Sequence, residues 1–195
     1  YSGDIRDFAH KYSDQIYNSI TKKKSIFTSK IYFVSDKYGT KKKMVKELFV
    51  MDFDGRNIKR LTNHRSIVIS PSVSHDNKKV VYSVIKVSKG RQNVDLYMLN
   101  LETKKISLVS AKKGINSGAV FSQDDERIFL TLSYTGNADI YELVLKTGAL
   151  RKITKHFSDD VDPSITADGA SMSFLSGRPG KAMIYTLDPR GVEKS

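Results

Sequence analysis

A repeat of about 44 residues decides what this chain can fold into. Asp76, Asp124 and Asp168 stand at equivalent points of it, each with a Ser or Thr two residues before (Ser74, Ser122, Thr166). Apolar residues follow four and six later: Val80 and Tyr82, Ile128 and Leu130, Met172 and Phe174. Pro71, Ala119 and Pro163 stand five before. A second landmark runs Phe49, Tyr97, Tyr141, Tyr185, and the last two steps of that series are both 44 residues. Between turn clusters such as Gln123-Asp124-Asp125 and Tyr134-Thr-Gly-Asn137, apolar and polar residues alternate. That is the period of half-buried antiparallel strands. A unit of about 40–45 residues holding four short strands, here lettered A to D, has the length of one propeller blade. The step from Asp76 to Asp124 is 48 residues, and the excess falls in the B–C connection around Ser88 to Asn93.

Taken in order, the chain reads as an all-β, partial and open β-propeller of about four blades of four-stranded antiparallel sheets, preceded by one amphipathic helix. Ile5, Phe8, Ala9, Tyr12, Ile16 and Ile20 follow helical spacing across residues 2–20, with Ser2 as the N-cap and Asp4 in the first turn. Residues 1–29 are read as the last helix of an upstream α/β domain plus a lysine-bearing linker. Residues 30–195 are the propeller, with blades at 30–65, 66–110, 111–155 and 156–195. The first blade has strands B (Ile31 to Val34), C and D but no A motif, and the fourth stops as its D strand would begin. Propellers close by letting one terminus complete the other's blade, so the chain is expected to be truncated at both ends. The arc should then stay open. Its end faces should be covered by another chain, by the helix, or by both.

Composition adds exclusions. Without Cys there is no disulfide framework and no thiolate metal site. No run approaches a membrane-spanning helix, so no direct membrane insertion is expected. GxSxG, GxGxxG, P-loop, HExxH and EF-hand patterns are all lacking. The repeated aspartates lie in A–B turns, where Asp bonds its own backbone, and are read as structural. His156, Asp159, Asp160 and Asp162 crowd one D–A loop; oxygen ligands would suit a channel Ca²⁺, but a solvated acidic loop accounts for the same residues. No cofactor is expected.

Topology points to the binding face. In such a blade the B–C and D–A connections emerge at one end, the A–B and C–D turns at the other. The long connections (37–46, 88–93, 112–117, 156–162 and 177–181) all fall at the first end, and binding residues concentrate on loops held by rigid scaffolds. That end is assigned to a protein partner, with Asp159, Asp160 and Arg178 on its loops. The net charge of +12 is expected to spread over several loops and the linker, without a groove suited to nucleic acid.

Two features together resemble the TolB family of periplasmic propeller proteins. One is the pattern Pro-x-x-Ser/Thr-x-Asp-x-x-x-apolar-x-apolar at Pro71 to Tyr82 and Pro163 to Phe174. The other is the entry segment: Phe8-Ala-His10, Ser13-Asp14, Ile16, Thr21 and Phe27, leading into Lys30-Ile31-Tyr32. The chain departs from the usual blade in lacking Trp, and His75, Gln123 and Ala167 replace the Pro before Asp. The resemblance implies a non-enzymatic scaffold of the Tol–Pal envelope system, located in the periplasm. Its partners would be a Pal-like peptidoglycan-associated lipoprotein and other Tol proteins. By motif match Asn116, Ser117, Val161 and Asp162 fall where the family contacts Pal, although Ile115 stands where a His is common. Two other readings compete: the regulatory propeller of a prolyl oligopeptidase-type serine peptidase, and a basic propeller that binds a polyanion.

Overall fold

The computed structural model describes residues 4–88 and 90–190. A single helix, α1 (Ile5–Thr21), precedes four antiparallel sheets. The first sheet is β1 (Lys30–Ser35), β2 (Glu47–Asp52) and β3 (Lys59–Arg60). The second is β4 (Ile67–Val73), β5 (Lys79–Ser88), β6 (Arg91–Asn100) and β7 (Ile106–Ser110). The third is β8 (Asn116–Phe121), β9 (Arg127–Leu132), β10 (Asp139–Val144) and β11 (Leu150–Lys152). The fourth is β12 (Asp160–Ile165), β13 (Met172–Ser176) and β14 (Met183–Leu187). Each sheet runs in chain order, which is the meander of a propeller blade. The first carries strands B to D and the last A to C. Gly191 to Ser195, where a fourth D strand was expected, lie outside the described residues.

Burial explains why the blades stack. Successive residues of a strand face opposite sides, so Val80, Tyr82 and Val84 of β5 pack toward the first blade with Leu48 and Val68. Val81, between them, packs toward the third with Phe121, Ile128 and Leu130. Phe129 turns the other way, to Met172 and Phe174 of the fourth blade. A blade between two others is therefore covered on both sides. This corrects the expectation of half-buried strands: from Ile128 to Leu143, β9 and β10 are buried at every position. Each such Leu, Ile or Phe contributes roughly 1.5–3 kcal/mol. Strand contacts link first blade to second, second to third and third to fourth, and among the described residues no extended strand contact joins the fourth to the first. The arc is open.

Three expectations change. The four-residue excess of the second blade lengthens a hairpin rather than a loop, since β5 and β6 stay paired out to Ser88 and Arg91. The helix begins at Ile5 with Asp4 as N-cap, its carboxylate accepting the Arg6 N–H at 3.0 Å; Ser2 lies outside the described residues. Nor does α1 cover an end of the arc. None of its residues is buried. It packs at the β2–β3 turn, where Asp54 pairs with Arg6 and lies 3.3 Å from His10 Nε2. It also meets the linker, where Asp14 accepts from the Ser25 and Thr28 hydroxyls and, at 3.1 Å, the Phe27 N–H. Among the described residues no helix is long and apolar enough to cross a membrane.

The repeated aspartates are structural, for a visible reason. Ser74, Ser122 and Thr166 donate to Asp76, Asp124 and Asp168 at 2.6, 2.5 and 2.6 Å. The same hydroxyls accept the N–H of Lys79, Arg127 and Ser171 at 2.9, 3.0 and 3.0 Å. The hydroxyl two residues before each Asp therefore closes the A–B turn, and the residue after it adopts a left-handed conformation: Asn77, Asp125, Gly169. Asp125 also crosses to the neighbouring blade, accepting the N–H of His75 and of Asp76, both at 2.8 Å.

Candidate partner-docking end

The B–C and D–A connections gather at one end of the arc and are tied to one another across blades. Gly114 N donates to Asn93 Oδ1 at 2.6 Å, and Asn137 Nδ2 to the His156 carbonyl at 2.8 Å. The innermost strands, β4, β8 and β12, start at this end. Each carries a β-bulge at the same place, between Ile69 and Ser72, Ser117 and Val120, and Val161 and Ser164. The bulged residue is left-handed in all three: Ser70 (φ 50°), Gly118 (φ 61°) and Asp162 (φ 53°). Ser and Asp hold this conformation at a cost that Gly avoids, and such outliers cluster at functional sites. At the third position the bulge exposes Asp162.

The junction of third and fourth blades is tight. The Asp162 N–H donates to Thr131 Oγ1 at 3.1 Å, and Thr131 is the cross-strand partner of Ser117. A Cβ on Gly118 would lie 2.8 Å from Asp162 Oδ1, so this glycine answers both a dihedral and a close approach. Ser117, Thr131 and Asp162 thus converge at the inner rim.

The seven residues assigned to a partner from the sequence divide here. Ser117, Val161 and Asp162 reach the surface, but from strands β8 and β12 rather than from loops. Asp159 is exposed and its Oδ1 accepts the Ala138 N–H at 2.8 Å. Asn116 and Asp160 are fully buried, and their expected place on loops is corrected. The Asn116 carboxamide accepts from Ser110 Oγ (2.6 Å) and Lys112 N (3.0 Å) and donates to the carbonyls of Val94 (2.8 Å) and Lys112 (2.7 Å). Asp160 accepts from Arg178 Nη2 at 3.0 Å, and the Arg178 guanidinium lies over Phe174 and Tyr185. These three shape the end from within. In the 156–162 segment Asp159 and Asp160 have separate partners, and no group of three acids, cysteines or histidines that could hold a metal ion forms among the described residues, so the residues of this loop do not gather as the Ca²⁺ reading expected.

Sequence reasoning missed a second set of groups here. Glu47 is fully buried at the start of β2 and accepts from Thr62 Oγ1 (2.6 Å), Arg65 N (2.7 Å), Arg60 Nη2 (3.0 Å) and His64 N (3.1 Å). Burial alone would raise its pKa, but the Thr62 hydroxyl, these N–H groups and Arg60 together hold it below the ordinary glutamate range. Asp139, also fully buried at the start of β10, likewise faces a base, with Lys152 Nζ 2.6 Å away. His64 bonds Tyr82 at 3.0 Å and is pushed below the usual imidazole value, first by burial and then by Lys86. The signal was present in the repeat, since Glu47, Asp95 and Asp139 each stand two residues before the landmark aromatics Phe49, Tyr97 and Tyr141.

The profile of the TolB beta propeller domain matches residues 17–194. A protein described as "Protein TolB homolog" from Chlorobium luteolum is 33% identical over 192 residues, covering 96% of this chain and 41% of that protein. The crystal structure of TolB from Acinetobacter baumannii superposes with a TM-score of 0.78 at 27% identity, over 96% of this chain and 46% of that one. This chain therefore spans less than half the length of either relative. Dipeptidyl peptidase 4 of Porphyromonas gingivalis (TM-score 0.52, 15% identity, 76% of this chain and 29% of that one) shares the fold alone.

Proposed function

The chain belongs to the TolB β-propeller family, and from that premise we propose that it is a non-enzymatic periplasmic scaffold. Its loop end docks a Pal-like, peptidoglycan-associated lipoprotein, in company with other Tol proteins of envelope maintenance. One observation carries the reading: the left-handed bulge that presents Asp162 at the inner rim, braced by Thr131 and Gly118, beside the accessible Ser117 and Val161. Strain held on a rigid junction at the mouth of the arc is what a preorganised docking point requires. The buried acids of this end support a scaffold over catalysis, because Glu47, Asp139 and Asp160 each face a base of their own sheet. Calorimetric titration of the cognate lipoprotein tests the proposal. Asp162→Arg should weaken binding at least tenfold with the melting temperature unchanged. Equal affinity in parent and variant would sink it.

A further inference from the structure

The loop end has a second property that a lipoprotein site does not call for. Its connections carry bases without counter-ions next to exposed apolar tips. In the 36–46 connection of the first blade, Lys37, Lys41, Lys42 and Lys43 are exposed, and Met44 beside them is 62% exposed. At the long hairpin of the second blade Val87 is 73% exposed, between Lys86 and Arg91. The next connection has Lys112 and Lys113 with Ile115 40% exposed, and the following one has Lys155 with Phe157 84% exposed. Among the described residues none of the lysines at 37, 41, 42, 43, 112 and 113 has a carboxylate within ion-pair distance. The buried acids of this end are already engaged with Arg60, Lys152 and Arg178. At the opposite, turn end several charges are matched, Arg6 with Asp54, Lys78 with Glu102, Arg127 with Asp124 and Arg190 with Asp188, and the exposed Lys104, Lys105 and Lys146 there stand without apolar side chains as exposed as Met44 or Phe157 beside them.

We infer that the loop end seats on an anionic lipid surface, with Met44, Val87 and Phe157 entering the headgroup layer and the surrounding lysines meeting lipid phosphates. Three features favour lipid over a protein partner for these tips. They are isolated from one another on separate connections, whereas a protein interface needs a contiguous core. They are set among lysine, which is depleted at protein–protein interfaces. Lysine with scattered apolar side chains suits a fluid surface, where each base adds an increment of attraction and each tip inserts independently. Met44 and Phe157 stand on connections between strands and Val87 near the end of β5, the docking residues Ser117 and Asp162 on the inner strands themselves. This contact is peripheral, unlike a membrane span.

Flotation of the full chain with protein-free vesicles tests this independently of any lipoprotein. The chain should partition onto vesicles of phosphatidylcholine mixed with phosphatidylglycerol, not onto phosphatidylcholine alone, and should be released by high salt. Lys41→Gln/Lys42→Gln/Lys43→Gln should lower partitioning by about fivefold per lysine, about a hundredfold together. Met44→Ser/Phe157→Ser should lower it by about tenfold. The charge-matched control Lys78→Gln/Lys105→Gln/Lys146→Gln, at the turn end, should leave it unchanged. The inference is overturned by absence of partitioning, by equal loss in the control, or by full retention in the Met44/Phe157 variant. Duplex DNA binding that survives salt at which vesicles release the chain would overturn it as well, in favour of a polyanion site.

Discussion

Asn116 offers the sharpest separation between a residue that builds the docking end and one that touches a partner. Truncation by Asn116→Ala removes four hydrogen bonds of 2.6–3.0 Å from a fully buried carboxamide. It leaves the Val94 and Lys112 carbonyls and the Lys112 N–H without those partners. At about 1 kcal/mol net per bond the loss is about 4 kcal/mol, a large part of a domain stability of about 5–15 kcal/mol. For a chain of this size each kcal/mol moves the melting temperature by about 2–4 °C, so circular dichroism should show a drop of about 10 °C. Ser117→Ala, one residue on, should stay within about 0.5 kcal/mol of the parent. The two neighbours would then differ although they share a strand. If Asn116→Ala melts within about 2 °C of the parent, the reading of this residue as the tie between β6, β8 and the 110–116 connection is wrong.

Two further outcomes follow from the turns and bulges. Asp76 and Asp124 are held below the usual carboxylate range, first by the Ser74 and Ser122 hydroxyls. A depressed folded value means that their contribution is present above the unfolded pKa of about 4 and is lost as pH falls through the folded one. Urea denaturation midpoints should therefore decline below about pH 4, and Ser74→Ala/Ser122→Ala should flatten that decline; an identical profile would contradict it. Gly118→Ala should cost about 1–2 kcal/mol from the left-handed dihedral alone, plus a clash with Asp162 Oδ1. In an Asp162→Gly background, where the facing carboxylate is absent, Gly118→Ala should cost less than in the parent, and strict additivity in a thermal double-mutant cycle would count against the contact.

How much of this was legible in the sequence depends on the range of the interaction. The blade repeat was readable because each A–B turn closes on itself, hydroxyl to Asp to backbone, within five or six residues. Alternation likewise marked the strands. What alternation could not show was that β9 and β10 are covered on both sides, because their second cover comes from the neighbouring blades, distant in sequence. The end where the long connections gather was located by topology, which follows from strand order alone. Its residues were sorted less well. Asn116, Asp160 and Arg178 carry polar side chains next to turns and so look exposed, yet each is enclosed by partners from elsewhere: Asn116 by Val94 and Ser110, Asp160 by Arg178, Arg178 by Tyr185. The left-handed Asp162 was invisible for the same reason. Its conformation is imposed by a bulge in pairing with β13, and only the Gly at the equivalent position 118 marked it.

Hydrogen–deuterium exchange on the chain with and without the cognate lipoprotein tests the central claim most directly, because it reports which end of the arc is covered. The account predicts slowed exchange at residues 114–118 and 159–164, where the bulged strands open the inner rim, with the A–B and C–D turns around Asp76, Asp124 and Gly148 unchanged. Protection confined to those turns, or to α1, would contradict it.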